Sequence, residues 1–148
     1  MTTIIVNLKD AGSEFKKLMG KNIKETKEAV KDGMYKSLPD IIRNSPVDTG
    51  LFAASWQLTE EESSIILGNF APHAAIIEFG ARPFRPPLRP LLAWAKRVLK
   101  EKEYSSRVWA LAKYTQQKIQ NFGMEPKSIL RNSIPMILEN IKDELKKL

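Results

Sequence analysis

The sequence predicts an α+β fold with a small antiparallel sheet that includes a hairpin, one long N-terminal helix and about three C-terminal helices. Three observations lead to this class. Apolar residues alternate near the N-terminus, they recur every three or four residues in long stretches of both halves, and two β-rich stretches lie between these. The chain has 148 residues, without internal repeats or linker-like segments, and is expected to form a single α+β domain over 1–148.

The first predicted elements are a strand and a long helix. Apolar residues alternate over 4–8, which indicates a short strand. Ser13 can cap the helix that follows, whose apolar residues recur at helical spacing. Pro39 is expected to kink or break this helix, and Pro46 to end it, because the residue before a proline avoids the helical region.

The middle of the chain predicts a hairpin and a short helix. Residues 51–59 and 63–69 have strand composition and are joined by three glutamates at 60–62. The positions expected to face inward are Trp56, Leu58, Ile65 and Leu67. Residues 71–78 can form two helical turns with a proline at the start, and Gly80 then stops them.

Three helices are predicted in the C-terminal half. Residues 82–90 hold four prolines and three arginines, which is typical of an extended segment and excludes a central strand or a regular helix. Apolar stripes then mark one helix over 88–99 and a second over 108–122, closed by a glycine. A third stripe begins at Pro126 and is expected to bend near Pro135.

The net charge of +7 is unevenly distributed. Residues 51–81 carry four acidic residues and no lysine or arginine, whereas 82–107 carry eight basic residues and two acidic ones. The basic stretches can simply be solvated helix faces. Alternatively, two oppositely charged surfaces meet in an assembly, or the basic segment faces DNA or an acidic partner.

Composition excludes much catalytic chemistry. The chain has no cysteine and one histidine, His73, so disulfides, thiolate nucleophiles and sites that need two imidazoles are absent. No glycine-rich phosphate loop occurs. No apolar run approaches the roughly 20 residues that span a bilayer, and no export signal is evident, so a soluble protein is expected. The sequence therefore predicts no enzyme, and no catalytic, cofactor-binding or metal-binding site.

The tripeptide Asp48-Thr49-Gly50 also occurs in aspartic proteases. Their chemistry requires two carboxylates that share a proton, so a chain with one copy has to form a homodimer. Such a site lies in an almost all-β fold, whereas this tripeptide follows a long helical pattern. We favour a tight turn in which Asp48 accepts backbone hydrogen bonds and Gly50 supplies a positive backbone dihedral that opens the hairpin.

His73 and Glu78 are the other candidate pair. They lie five residues apart and could bind a metal or act as acid and base, but two ligands do not complete a metal site. The structural interpretation makes His73 a partly buried ring in a polar contact. It has Glu78 held by an arginine such as Arg82 or by backbone amides.

The arginine- and proline-rich segment is the candidate interface. Its arginines and aromatic residue suit contacts with phosphates and stacking on bases, and they equally suit a protein interface in which prolines fix the loop before binding. We favour protein contact. The candidate interface residues are Arg82, Phe84, Arg85, Arg89 and Trp94.

Several short motifs occur in a fixed order between residues 45 and 99. They are Ser45-Pro46-Val47-Asp48-Thr49-Gly50-Leu51, Ser55-Trp56, Gly68-Asn69 before Ala71-Pro72, Glu78-Phe79-Gly80, and the arginine- and proline-rich stretch before the helix with Trp94. In this order they resemble the tail-completion, or neck, proteins of long-tailed bacteriophages. The resemblance covers roughly residues 15–145. The chain departs from the family pattern at His73, where tyrosine is common, and at Ala81, where threonine is common.

The resemblance implies a virion structural protein at the head–tail junction, with an α+β fold, that assembles as a ring around the DNA channel. Its partners would be other copies of itself and neighbouring neck, connector or tail-terminator proteins, with non-specific DNA contact in the channel left open. It would be found in the virion and, during assembly, in the host cytoplasm. Two structural turns carry over: Asp48, Thr49 and Gly50 at the start of the sheet, and Glu78, Phe79 and Gly80 at the entry to the interface loop. The alternatives are a DNA-binding module using 82–107 and, third, a dimeric aspartic protease.

Overall fold

The computed structural model describes residues 2–7, 23–62 and 64–148, which form two compact units. The first unit contains the described residues of Met1–Glu78 together with Ser128–Leu148, and the second comprises Phe79–Lys127. The strands are β1 (Thr2–Asn7), β2 (Trp56–Glu60) and β3 (Ser64–Asn69); the helices are α1 (Ile23–Arg43), α2 (Leu51–Ala54), α3 (Ala74–Phe79), α4 (Leu88–Val98), α5 (Ser106–Phe122) and α6 (Ile129–Leu145). The predicted α+β class is confirmed, while the single domain over 1–148 stays a prediction.

The sheet of the first unit is antiparallel, with the strand order β1-β3-β2. Asn69 of the central strand pairs with Thr2 on one side and with Trp56 on the other. Trp56, Ile65 and Leu67 are buried, and Leu58 is partly buried against the same core. The four inward positions expected of the hairpin are therefore confirmed.

Helices α1 and α6 pack closely against each other in this unit. The buried side chains at their contact recur at helical spacing: Val30, Met34, Ile41, Ile137 and Ile141. Gly33 lies at the tightest point, where a Cβ atom would be only 2.6 Å from Cα of Ile141. A residue without a side chain is thus what lets the two helix backbones approach.

The boundaries of these two helices differ from the sequence prediction near their prolines, while the kinks expected at Pro39 and Pro135 stay predictions. The expected break at Pro39 is wrong, because α1 continues to Arg43. Pro39 and Tyr35 are exposed, so water can reach the Tyr35 carbonyl that receives no amide proton from the proline. Helix α6 begins at Ile129, not at Pro126, and includes Pro135. The predicted helix start at Ser13 lies outside the described residues.

The predicted first strand of the hairpin begins too early. Leu51–Ala54 form one turn of helix, with the Ala54 amide donating to the Gly50 carbonyl at 2.9 Å, and β2 starts only at Trp56. Only Phe52 of this turn is buried, so the apolar composition of 51–54 did not reflect the face of a sheet. The helix predicted over 71–78 is confirmed in part, as α3 over Ala74–Phe79.

The second unit is built on α4 and α5, which pack around a very small core. Its buried apolar residues are Ala95, Val108 and Ala112, flanked by partly buried leucines and Trp94. Ser105 caps α5 by accepting from the Val108 amide at 3.3 Å, and Gly123 follows its last turn. No helix in the described ranges is both long and apolar enough to cross a membrane.

Candidate functional site

The first motifs of the series meet in the core of the first unit. Ser45 is buried, and its hydroxyl accepts from Nε1 of Trp56 at 2.8 Å while donating to the Ile41 carbonyl at 2.8 Å. The Trp56 ring packs edge-on against Phe52, with ring centroids 5.7 Å apart. Ser45 thereby connects the end of α1 to the start of β2.

Asn69 joins the next two pieces of the series. Its side chain is fully buried, with Nδ2 donating to the Phe52 carbonyl at 2.7 Å and Oδ1 accepting from the Ala71 amide at 3.0 Å. One amide side chain therefore fixes the end of β3 against α2 and the turn before α3. The sequence motifs include Ser45 and Asn69, but they did not predict the buried hydrogen bonds that these two residues make.

The Asp48-Thr49-Gly50 tripeptide forms an exposed bend between α1 and α2. Gly50 has φ +82° and ψ −10°, the positive backbone dihedral that the turn interpretation expects. It precedes a helical turn, so it does not open the hairpin directly, and the expectation needs that correction. The bend sets the direction in which the chain leaves α1.

Glu78 caps helix α6 from a distance. Its carboxylate is 4% exposed, with Oε2 accepting from the Leu130 amide and Oε1 from the Arg131 amide, each at 3.0 Å. These amides lie in the first turn of α6, where no intrahelical acceptor exists. Ser128, before that turn, makes no capping side-chain bond to it, so a carboxylate 50 residues earlier performs this function. Of the two expected partners of Glu78, the backbone amides are the ones present.

Replacing Glu78 with alanine should lower the free energy of unfolding by about 2 to 3 kcal/mol, because one buried and one part-buried amide group lose their acceptor. Glu78→Gln should cost less, since one acceptor oxygen remains. Glu139→Ala, at an exposed glutamate of the same helix, is the matched control. Thermal melts measure the effect, and equal melting temperatures for the two alanine variants would contradict the capping role.

His73 and Glu78 do not form a common site. The His73 ring is partly buried, 6.0 Å from the Phe52 ring, and both carboxylate oxygens of Glu78 are engaged by amides. Across the described parts of the chain, no group of three or more histidine, aspartate or glutamate side chains is placed to hold a metal ion. The metal or acid–base pairing considered for these two residues therefore has no geometric support.

Two glycines bring the ends of the second unit together. Ala81 and Met124 exchange backbone hydrogen bonds of 2.9 and 2.8 Å, forming an isolated antiparallel bridge. Gly80 and Gly123, beside the bridge, have φ of +74° and +75°, and a Cβ on either would lie 2.4 Å or less from a carbonyl oxygen across it. Gly80 was expected to end a helix and to enter the candidate loop. The backbone bridge beside Gly80 and Gly123 joins residues that are more than 40 positions apart, so no local sequence pattern predicts it.

The candidate interface loop is exposed but anchored at one point. Arg82, Phe84 and Arg85 are exposed, Phe84 by 39%. Pro86 is buried, and its carbonyl accepts from the Gln116 side chain at 2.7 Å. Arg89 is also exposed, but it lies in the first turn of α4, which corrects the extended segment predicted through Pro90. A proline in a first helical turn loses no hydrogen bond, and this explains why the helix can begin so early.

The two tryptophans of the second unit, on α4 and α5, lie in different environments. Trp94, a candidate partner anchor, is partly buried and packs against the small core of α4 and α5. Trp109, on α5, is 42% exposed, with Nζ of Lys113 5.8 Å from its ring centroid. The exposed aromatic surface on these two helices is thus on α5 and not at Trp94.

Glu60 is already paired within the chain. Its carboxylate lies 2.8 Å from Nζ of Lys27 and 3.3 Å from Nζ of Lys31, and hydrogen bonds from these lysines lower the pKa of Glu60 below its usual value. The Glu61 side chain accepts from the Ser64 hydroxyl at 2.9 Å. Any external cation that approached these two carboxylates would have to compete with these contacts.

The second unit carries the excess positive charge of the chain. Its 49 residues include 11 lysines and arginines and only three glutamates, whereas the rest of the chain has 13 basic and 14 acidic residues. Helices α4 and α5 contain six basic residues and no acidic one. The basic stretch recognised in the sequence, 82–107, ends in the first turn of α5. The absence of acidic residues from the whole of α5 therefore became visible only with the helix boundaries.

Comparison with protein-family models, curated proteins and solved structures finds no match to this chain. The resemblance to neck proteins therefore depends on the ordered sequence motifs alone.

Proposed function

We propose that this protein is a structural protein of a bacteriophage neck or tail end, which completes the tail or joins head to tail as a ring around the DNA channel. The observation that carries the proposal is the ordered series of motifs between residues 45 and 99. Its partners would be other copies of the chain and adjacent neck, connector or tail-terminator proteins. It would act in the virion and, during assembly, in the host cytoplasm, without a cofactor.

The arrangement of the motif residues supports this role. Ser45, Asn69 and Glu78 are buried and satisfy backbone groups of several elements, so the early motifs form a fixed framework. The last motif is an exposed loop whose prolines restrict its shape before any partner arrives. A joining protein needs a rigid framework and an accessible surface but no catalytic group, and we therefore propose a non-enzymatic role.

The proposed contact is formed by several weak interactions around an apolar centre. Exposed ion pairs contribute about 0 to 1 kcal/mol each, so single arginines cannot hold a ring together. Arg82, Arg85 and Arg89 would act jointly, around Phe84, on carboxylates of a neighbouring subunit or ring. Trp94, which is partly buried, would mainly keep α4 in place behind the loop.

Replacing Arg82, Arg85 and Arg89 together by alanine should leave the melting temperature within a few degrees of the wild type, because all three side chains are exposed. Heads and tails should nevertheless fail to join in a complementation assay scored by electron microscopy.

The matched control removes three exposed basic residues of the first unit, Arg43, Arg131 and Lys142. This control loses the same charge and should assemble normally. Normal assembly of the loop variant, or its outright unfolding, would refute the interface.

The alternative function is a DNA-binding module based on residues 82–107. It is favoured by the absence of acidic residues from α4, although Glu101 and Glu103 lie in the same segment. Tight, sequence-selective binding of duplex DNA by the purified protein near physiological salt would make this alternative the first choice.

A further inference from the structure

The outward face of α5 is polar, positively charged and free of acidic residues. Val108 and Ala112 point into the core, so the opposite side of the helix is directed to solvent. The exposed residues on that side form what we call the outer face of α5: Arg107, Ala110, Lys113, Tyr114, Gln117, Lys118 and Asn121. They extend over most of a helix about 25 Å long.

The other long helices show that this charge pattern is not the general surface of the protein. Helix α1 has five basic and four acidic residues, and α6 has two basic and three acidic ones. Both take part in ion pairs: Lys31 and Glu28 of α1 are 3.4 Å apart, and Asp143 of α6 is 2.9 Å from Lys146, directly after the helix. The surfaces of α1 and α6 thus mix both signs, whereas that of α5 does not.

The cations of α5 are little compensated. Arg107 lies in the first turn, at the positive end of the helix dipole, where no acidic residue is present, and its nearest carboxylate is Glu101 at 3.7 Å. Lys113 and Lys118 form no ion pair with any residue that the structure describes. The like charges on this face therefore remain available to an external anion.

We propose that the outer face of α5 binds duplex DNA. This inference goes beyond the assembly role, because it concerns a different surface from the arginine- and proline-rich loop. The cations would contact phosphates, and the amide groups of Gln117 and Asn121 would donate to phosphate oxygens or base edges. Ala110 in the middle leaves room for close approach, and an α-helix fits the width of the major groove.

Duplex DNA matches this face better than an acidic protein does. An acidic protein surface offers irregular carboxylates, whereas a duplex offers closely spaced phosphates along the whole length of a helix. Three cations on one helix provide affinity that depends on salt and little on sequence. The expected interaction is therefore weak and non-specific.

The test is fluorescence anisotropy of the full-length protein with a short labelled duplex at several salt concentrations. The wild type should bind at low salt, and the logarithm of its binding constant should fall linearly with the logarithm of the salt concentration. Replacing Arg107, Lys113 and Lys118 together by glutamine should weaken binding at least tenfold at low salt and reduce the slope by about 2 to 3. Tyr114→Ala leaves the charge unchanged and should weaken binding without changing the slope.

The matched control replaces Arg43, Arg131 and Lys142 by glutamine, which removes the same charge from α1 and α6. Circular dichroism melts establish that each variant is folded. An equal loss of affinity in the control would show that binding depends only on the net charge of the protein, and it would overturn the proposal. So would failure of the wild type to bind at low salt, tighter binding to a single strand of the same length, or equal competition by poly-glutamate, which would indicate an acidic protein partner instead.

Discussion

Gly33→Ala should destabilise the first unit by about 3 kcal/mol and lower its melting temperature by more than about 10 °C. At an exposed helical position the same change would be stabilising, by roughly 0.5 to 1 kcal/mol, because alanine is the better helix former. Here the new Cβ would lie 2.6 Å from Cα and 2.7 Å from the backbone nitrogen of Ile141. Helices α1 and α6 would have to separate, and their shared core would lose contacts.

The control for Gly33→Ala is the double variant with Ile141→Val. Shortening Ile141 relieves only the contact with its Cγ1 atom, at 2.9 Å, and leaves the backbone contacts in place. The double variant should therefore recover little stability. Full recovery would show that the side chain of Ile141, and not the approach of two backbones, limits this position.

Gly123→Ala should have the largest effect on the second unit, about 4 kcal/mol. Gly123 has φ +75° and ψ −156°, a combination almost confined to glycine. Its Cβ would also lie 2.2 Å from the Ala81 carbonyl oxygen, so the bridge between Ala81 and Met124 would open. Faster amide hydrogen exchange in α4 and α5, measured by mass spectrometry, should accompany the loss.

Gly50→Ala tests how much of the effect at Gly123 comes from the positive backbone dihedral and how much from the contact of the new Cβ. Gly50 has a similar φ of +82°, but a Cβ added there would have no atom within 4 Å beyond its chain neighbours. Alanine there should cost only about 1 to 2 kcal/mol, from the backbone dihedral alone. If both glycine variants lose the same stability, the steric contact across the bridge contributes nothing.

Local patterns in the sequence predicted much of the fold. Alternation identified the buried faces of Trp56, Ile65 and Leu67, and a terminal glycine marked the end of α5. The predicted helix break at Pro39 is wrong. The prediction considered only the amide proton that proline lacks, whereas continuation of the helix depends on whether water reaches the carbonyl left without a partner. Exposure of that kind is a tertiary property and is not visible in the local sequence.

The candidate site was predicted less completely, for a related reason. The capping of α6 by Glu78 joins residues more than 50 positions apart, and the contact of Gly33 with Ile141 joins residues more than 100 apart. Neither leaves a periodic signal. The uniform charge of α5 was readable from the sequence, but only after the helix boundaries were known. The interface residues from Arg82 to Trp94 stay a prediction.

The hydrogen bond between the Ser128 amide and the Glu78 carbonyl, 3.3 Å long, has a consequence for how this chain can change in evolution. Residues 79–127 depart from the first unit and return to it at adjacent points. An insertion with neighbouring ends can be shortened, lengthened or exchanged while the polypeptide on either side keeps its path. This basic segment can therefore change in length or composition while the sheet and the α1–α6 pair are retained.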